Sequence, residues 1–472
     1  MRRIATLVGL IALVAGLLAV PAGAGGGGNN QVRVNVLLNT DIDDAVLAEL
    51  SEYGMIRDTL LQIDAVFMQV AAKYIDDIEA LPFVAAVSPD AERNGSPVDT
   101  VAVSDFANGL TTWDQDAINV TDGVGFGGRS VGYDGSGVYV AVLDTGLLDT
   151  WRQYFPEERI AEEYAISFGG GGNESGDISS QPNKWEHDTN SHGTHVTSTI
   201  LGYSLGGTPV DGAAPLATVI PVKVLNNNGS GWSSVVAEGI TYIGDLKAGP
   251  LAGSPVVINM SLGGPELDAV EKTAIDYAIA QGVIIVASAG NSGAAGMGYP
   301  GAYEPVISVA ASGWIGEWSP LGNRSWWNNV AVPDPTDPDD YYITDFSSRE
   351  LAGQDLDVAA PGSWVVGPFQ LQNGQISYFF LGGTSMASPH VAGIAALMMQ
   401  KDGTLVQADV ESILETTAIT LPAGCRDVLT PFGPDPETFC WEDDATGHGL
   451  ATADAALAGV GAPSGSAKKK GR

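Results

Sequence analysis

Three short stretches of the chain carry residue types able to do nucleophilic chemistry. In Gly382-Gly383-Thr384-Ser385-Met386-Ala387-Ser388-Pro389-His390-Val391-Ala392-Gly393, a glycine turn runs into an apolar segment that continues through Met399. The pattern predicts a helix with Ser385 at its N-terminus, where unpaired N–H groups and the helix dipole favour the charge of a tetrahedral intermediate. Pro389 suits that helix if it falls within the first turn. Alone, the stretch reads equally as a buried Ala/Gly-rich helix with a serine cap. Val140-Ala141-Val142-Leu143-Asp144-Thr145-Gly146 is an apolar strand ending in an aspartate and a turn glycine, where open α/β sheets place functional groups. His192-Gly193-Thr194-His195-Val196 opens a further helical run. Together they supply a triad: Ser385 as nucleophile, His192 as its general base and Asp144 fixing the imidazole tautomer, with His195 the competing base. An aspartic-protease dyad needs a second Asp-Thr/Ser-Gly, and none follows. The α/β-hydrolase esterases fit worse, because their order is Ser, acid, His and residues 383–387 are not Gly-x-Ser-x-Gly.

These stretches resemble the three signatures of the subtilisin-like (subtilase) serine peptidases. Gly212-Ala213-Ala214-Pro215, Val222-Lys223-Val224-Leu225, Gly229-Ser230-Gly231, Asn259-Met260-Ser261-Leu262-Gly263-Gly264 and Ala287-Ser288-Ala289-Gly290-Asn291 extend the likeness over roughly Trp113 to Ala458. The resemblance implies an endopeptidase acting on protein or peptide substrates, working as a monomer and needing no cofactor for its chemistry. It also implies that the Asn291 side chain and the Ser385 backbone N–H form the oxyanion hole. Substrate would add as a strand between Gly229, Ser230, Gly231 on one side and Ser261, Leu262, Gly263 on the other, with Gly263, Gly264, Ala289 and Gly290 lining the main pocket. A non-catalytic scaffold on the same fold is the alternative, since fold alone does not imply activity.

Elements able to position these residues follow from the hydrophobic pattern. Apolar strands at 138–143, 219–224, 256–258, 283–287 and 306–310 alternate with helical runs such as 235–243 and 269–280. That alternation predicts an α/β fold with a parallel sheet covered by helices on both faces. Upstream, residues 31–92 predict strands at 32–38, 61–66, 67–71 and 84–87 and helices at 41–53 and 73–80. This β-α-β-β-α-β order suggests a ferredoxin-like α+β domain resembling the subtilase propeptide, an intramolecular chaperone and inhibitor. A basic start, an apolar run from Ile4 to Val20 and Pro21-Ala22-Gly23-Ala24 read as a secretory signal over the alternative of a membrane anchor, since the run is short for a span and the small-residue exit favours cleavage. The expected organisation is signal peptide 1–24, propeptide 25–97 with a boundary loop at 94–100, catalytic domain 98–460 and basic tail 461–472. The product is then secreted, and no span remains to hold it in a membrane.

The net charge is −35, with 56 acidic against 21 basic residues, which argues against a nucleic-acid partner. Aspartate outnumbers glutamate, 36 to 20; the surface is either adapted to a saline medium or simply acidic. Residues 169–177 and 314–345 are insertions relative to the compact family pattern. The second carries Trp314, Trp318, Trp326 and Trp327, then Asp334, Asp337, Asp339 and Asp340 between prolines. Those carboxylates form either a solvated loop or a calcium site, but the register of a known calcium loop is missing. The loop after Asp144 also lacks the family's usual calcium aspartate, so a structural calcium stays unassigned. Cys425 and Cys440, in an exported chain, read as a disulfide over two free thiols, contributing roughly 3 kcal/mol by closing the loop between them.

Overall fold

The computed structural model describes residues 30–103, 112–122, 128–170, 179–180, 184–318, 332–333, 336–370 and 377–461. The expected signal segment, Trp326, Trp327, Asp334 and most of the basic tail lie outside them. Among the described residues, no helix is long and apolar enough to cross a membrane.

The first unit is a four-stranded antiparallel sheet: β1 (Gln31–Leu38), β2 (Gly54–Leu60), β3 (Ala65–Ala71) and β4 (Val84–Pro89), in the order β2-β3-β1-β4. Helices α1 (Asp44–Ser51) and α2 (Ile75–Glu79) complete a ferredoxin-like topology. Two boundaries differ from expectation. Residues 61–63 form a 3₁₀ turn rather than part of a strand; β2 lies earlier, at 54–60, where no strand was expected, and β3 joins the last two residues of the segment expected at 61–66 to the one expected at 67–71. Asp64 is the cause: it adopts a left-handed conformation (φ 52°) that reverses the chain, and its carboxylate accepts the Ile42 N–H at 3.1 Å. The alternation of β1 and β3 then buries both faces of the sheet. Val34, Val36, Val66, Met68 and Val70 pack under α1 and α2, while Ala65 and Phe67 point into the second unit.

That second unit is built on a nine-stranded sheet. Seven of its strands are mutually parallel and lie in the order Ile166–Gly169, Thr218–Lys223, Tyr139–Asp144, Val256–Met260, Val283–Ser288, Ile307–Trp314, Val358–Pro361. Antiparallel strands at Ser179–Ser180 and Tyr341–Ile343 are added to it. The near-continuous apolar runs have the cause expected of a sheet covered on both sides. Val140 and Val142 face the helices His192–Leu201 and Thr384–Lys401, whereas Ala141 and Leu143 face Ser233–Ala248 and Ala269–Ala280. The first unit docks on the latter pair: Leu60, Ile63, Ala65 and Phe67 join the same apolar cluster.

Polar capping seals this contact. The Ser233–Ala248 helix has no side-chain cap of its own from Trp232; Asp90 of the first unit accepts the Ser234 N–H at 3.0 Å and the Ser234 hydroxyl at 2.9 Å. Asp268 caps the neighbouring helix by accepting the Val270 N–H at 2.7 Å, and its other oxygen is held by Asn35 and Ser233.

Of the expected boundary loop at 94–100, residues 95–98 lie outside any strand, while both ends are paired backbone. β5 (Glu92–Asn94) pairs antiparallel with Ser230–Trp232, and β6 (Asp99–Ala102) with Tyr378–Gly382. Gly95 and Pro97, which suggested a loop, sit between the two paired segments. Near the end of the chain, Cys425 and Cys440 face each other across a hairpin with Cα atoms 4.1 Å apart, at disulfide-bonding distance.

Candidate active site

Asp144 ends the strand on either side of which the chain order of the sheet reverses, at the carboxyl edge where open α/β sheets hold ligands. His192 is the first residue of its helix, and Ser385 the second of the long central helix. His192 Nδ1 lies 2.8 and 3.0 Å from the two oxygens of Asp144, and both side chains are fully buried. Two glycines permit this approach. A Cβ on Gly193 would lie 2.4 Å from the Gly146 carbonyl, and one on Gly146 (φ 87°) 2.3 Å from that of Trp185.

The Ser385 hydroxyl donates to the Ser261 carbonyl at 3.2 Å, and His192 Nε2 has no hydrogen-bond partner among the described residues. His192 Nε2 is therefore unclaimed, while the Ser385 hydroxyl is held on a neighbouring carbonyl. His195, the competing base, is in the wrong state and place. Burial, then the charge of His192, pushes it down to about 3, and its Nε2 faces the Val365 carbonyl at 3.2 Å. It is a neutral core histidine.

Asn291 is oriented by its oxygen, which accepts the Thr384 N–H and hydroxyl, each at 2.9 Å. That turns the amide nitrogen toward the Gly383 turn, 3.8 Å from where a Cβ on Gly383 would lie. An N–H donor thus sits beside the helix N-terminus that carries Ser385, the arrangement an oxyanion requires.

Pro389 corrects one expectation: the helix begins at Thr384, so the proline lies in the second turn, not the first. Its missing N–H would have bonded the Ser385 carbonyl, four residues back. The Ser261 hydroxyl supplies the bond instead, donating to that carbonyl at 2.8 Å while contacting Ser388 Oγ at 2.9 Å and accepting from Asn259 Nδ2 at 3.0 Å. One side chain repairs the helix and ties it to the strand behind the nucleophile.

The cleft is crossed by the protein's own chain. Asn94 and Gly263 exchange both backbone hydrogen bonds, at 2.9 and 3.0 Å, and the Gly95 N–H donates to the Gly229 carbonyl at 2.9 Å. Arg93 pairs with Gly231 and Asn94 with Ser230. Beyond the triad, the Val98 N–H donates to the Gly382 carbonyl at 2.7 Å. A Cβ on Gly95 would lie 3.3 Å from His192 Cε1, and one on Gly383 3.8 Å from Pro97 Cα. Residues 92–98 therefore run between the two edges expected to grip substrate, with Ser96–Pro97 passing the Gly383 turn that leads into Ser385. Of the expected pocket residues, Leu262 and Ala289 are buried, Gly290 backs onto Ser348 and Gly298, and Gly264 lies against Glu92 and Arg93.

Sequence reasoning missed several supporting residues. The Thr145 hydroxyl donates to Asp188 at 2.8 Å and accepts the Gly193 N–H at 3.0 Å, clamping the aspartate strand to the histidine helix. Asp188 also accepts the N–H groups of Asn190 and Ser191 and lies 3.8 Å from Lys223 Nζ. An Asp-x-Asn-Ser turn just before His192 is a capping signal that could have revealed it. On the serine helix, His390 bridges the Met386 carbonyl and Asp114 at 2.8 and 2.9 Å.

Of the acidic insertion, Asp337 caps a 3₁₀ turn and Asp339 pairs with Arg426 at 2.6 Å, so these two carboxylates have structural partners. Among the described residues, one acidic group could hold a hard cation: Asp357, Glu411 and Glu415 bring carboxylate oxygens within 4.8 Å of one another.

Fold and site together define a subtilisin-like serine peptidase. Residues 135–461 match the Subtilase family, and the chain belongs to it. It is 37% identical to subtilisin E of Bacillus subtilis (strain 168) over 299 residues, 62% of this chain and 63% of that one. It is 31% identical to an alkaline protease of Shouchella clausii over 401 residues, 84% and 86% of the two chains. Among solved structures, fervidolysin from Fervidobacterium pennivorans, a keratinolytic enzyme related to subtilisin, aligns with a TM-score of 0.63 at 23% identity, covering 92% of this chain and 62% of that chain. Sphericase aligns at 0.52 and 28% identity, covering 73% of this chain and 99% of its own. The match thus spans less than two thirds of subtilisin E and of the fervidolysin chain.

Proposed function

We propose that this chain is the precursor of a secreted serine endopeptidase that cuts itself first and other proteins afterwards. The observation that carries this reading is the segment 92–98, strand-paired at Glu92–Asn94, hydrogen-bonded on both sides and drawn across the Ser385 and His192 helix starts in the manner of a substrate. The Ser385 hydroxyl attacks the carbonyl of the bound residue, and His192 Nε2 takes the proton and returns it to the leaving amine. Asp144, already on Nδ1, holds the tautomer and stabilises the imidazolium. The Asn291 amide and the Ser385 N–H receive the oxyanion. None of these steps calls on a metal or cofactor; Asp357, Glu411 and Glu415 remain candidate ligands for a structural calcium only.

In this reading Ser96–Pro97 is the bond presented for processing, so the propeptide expected at 25–97 ends at Ser96 and the catalytic domain expected at 98–460 begins at Pro97. Docking through Asp90, Asn35 and the Phe67 face makes the propeptide both a folding template and an inhibitor. Residues 1–24 direct export, Cys425 and Cys440 form their disulfide outside the cell, and the mature enzyme is a monomer.

The test is Ser385→Ala. Without the hydroxyl no acyl intermediate forms, and kcat falls on the order of 10⁶, a magnitude taken from subtilisin itself. The variant should accumulate as a precursor retaining residues 31–92, while the wild type gives a shorter chain starting between Asn94 and Trp113. Intact mass and N-terminal sequencing decide. Maturation of the variant in a protease-free host would refute self-processing. A wild type that neither matures nor cuts casein would leave the scaffold reading.

A further inference from the structure

Arg93 is the fourth residue before the Ser96–Pro97 peptide bond, counting Ser96 as the first. Its side chain leaves the cleft strand and is completely buried. The guanidinium meets Glu271 side-on: Nε lies 3.0 Å from one carboxylate oxygen and Nη2 2.5 Å from the other, with both side chains at zero exposure. Nη2 also donates to the Glu266 carbonyl at 2.9 Å and Nη1 to the Glu92 carbonyl at 3.0 Å. A Cβ on Gly264 would lie 2.8 Å from Nη1, so the missing side chain there is what admits the guanidinium. Glu271 and the Glu266 carbonyl belong to the catalytic domain, whereas Arg93 departs with the propeptide.

We propose that Glu271 makes the mature enzyme selective for substrates with arginine at the fourth position before the cut bond. The inference rests on the endopeptidase reading above and deepens it. Glu271 occupies the third position of its helix, where a glutamate can serve merely as a helix-end charge, turned back on the Asp268 N–H. Here its oxygens instead face the cleft strand and receive a guanidinium in bidentate geometry. Planar, forked pairing of that kind discriminates arginine from lysine, and both from uncharged side chains. Once Arg93 leaves, a carboxylate is uncovered at the floor of a pocket whose depth is set by Gly264. Leaving such a group buried without a counter-charge is costly, so a substrate that restores the cation binds best and an acidic one worst.

The experiment uses mature wild-type enzyme and internally quenched peptides, Glu-X-Asn-Gly-Ser-Ala-Val-Asp, patterned on residues 92–99 with alanine in place of Pro97. X is Arg, Lys, Met or Glu. The expected order of kcat/KM is Arg, Lys, Met, Glu, with at least tenfold between Arg and Met. Glu271→Gln should bring the Arg/Met ratio to within about threefold of unity, and Glu271→Leu should favour Met. Arg and Met peptides cut within twofold of each other by the wild type would overturn the proposal whatever the variants do. So would a Glu271→Gln enzyme that keeps the full ratio. If casein is digested but selectivity is absent, the endopeptidase reading survives and this inference fails. If neither casein nor any peptide is cut, both fall.

Discussion

The bond between the Ser261 hydroxyl and the Ser385 carbonyl permits a double-mutant test of how the nucleophile is held. Ser261 uses its full capacity: one donated bond to Ser385 O at 2.8 Å and contacts from Asn259 and Ser388 to its oxygen. Ser261→Ala leaves the buried Ser385 carbonyl with neither a helical N–H, because residue 389 is proline, nor a hydroxyl. An orphaned buried carbonyl costs about 1–3 kcal/mol. At roughly 2 cal/mol/K of unfolding entropy per residue, a domain of this size loses about 1 °C in Tm per kcal/mol, so the expected loss is about 1–4 °C. In a Pro389→Ala background residue 389 regains its N–H, which can bond the same carbonyl. Ser261→Ala should then cost less by about 1 kcal/mol, the net value of one hydrogen bond. Melts of the four proteins, all carrying Ser385→Ala to prevent self-digestion, measure the coupling; that substitution keeps the residue-385 carbonyl. Equal losses in both backgrounds would refute the argument that Ser261 stands in for the proline's missing donor.

Asn291→Ala should leave the fold intact and lower kcat by roughly 10²–10³ with KM little changed, a magnitude again taken from subtilisin; an unchanged kcat on a peptide amide removes Asn291 from the site. Burial, then the charges of Asp58 and Asp245, pushes Glu238 up to about 8, so the folded precursor holds a proton there that the unfolded chain releases above about 4.5. Precursor stability should therefore fall as pH rises from about 4.5 through 8, and Glu238→Gln should flatten that decline; parallel melts of wild-type-like and variant chains in the Ser385→Ala background would expose an error of sign. The full chain carries a net charge of −35, and the mature enzyme, which keeps most of that excess, should melt at higher temperature as NaCl rises into the molar range, at fixed calcium; a flat or falling Tm would leave the surface merely acidic.

Hydrophobic pattern alone determined the parallel sheet, because strands covered on both faces must be apolar along their whole length, and the runs at 138–143 and 283–287 are. The Ala269–Ala280 helix coincides with its expected limits, since Asp268 caps one end and the apolar spacing defines the rest. The local structure of the three stretches proposed to carry the triad was equally legible, because turn glycines, a strand-end aspartate and small helix-start residues are local demands of backbone geometry. What the letters could not carry was anything depending on one chain segment meeting another. Asp64 hid the true limits of β2 and β3, since its left-handed turn is a property of one dihedral pair and not of composition. Gly95 and Pro97 do lie in a loop, but the strands at its two ends went unread because their pairing is a contact with Ser230–Trp232 and Tyr378–Gly382, more than a hundred residues away. Pro389 looked tolerable for the wrong reason: the helix starts too early to spare its N–H, and only the tertiary structure brings Ser261 to the orphaned carbonyl. Arg93 and Glu271, 178 residues apart, carry no sign of their pairing in the sequence; folding buries them against each other. A buried charge is stable only beside its partner, and partners are chosen in three dimensions.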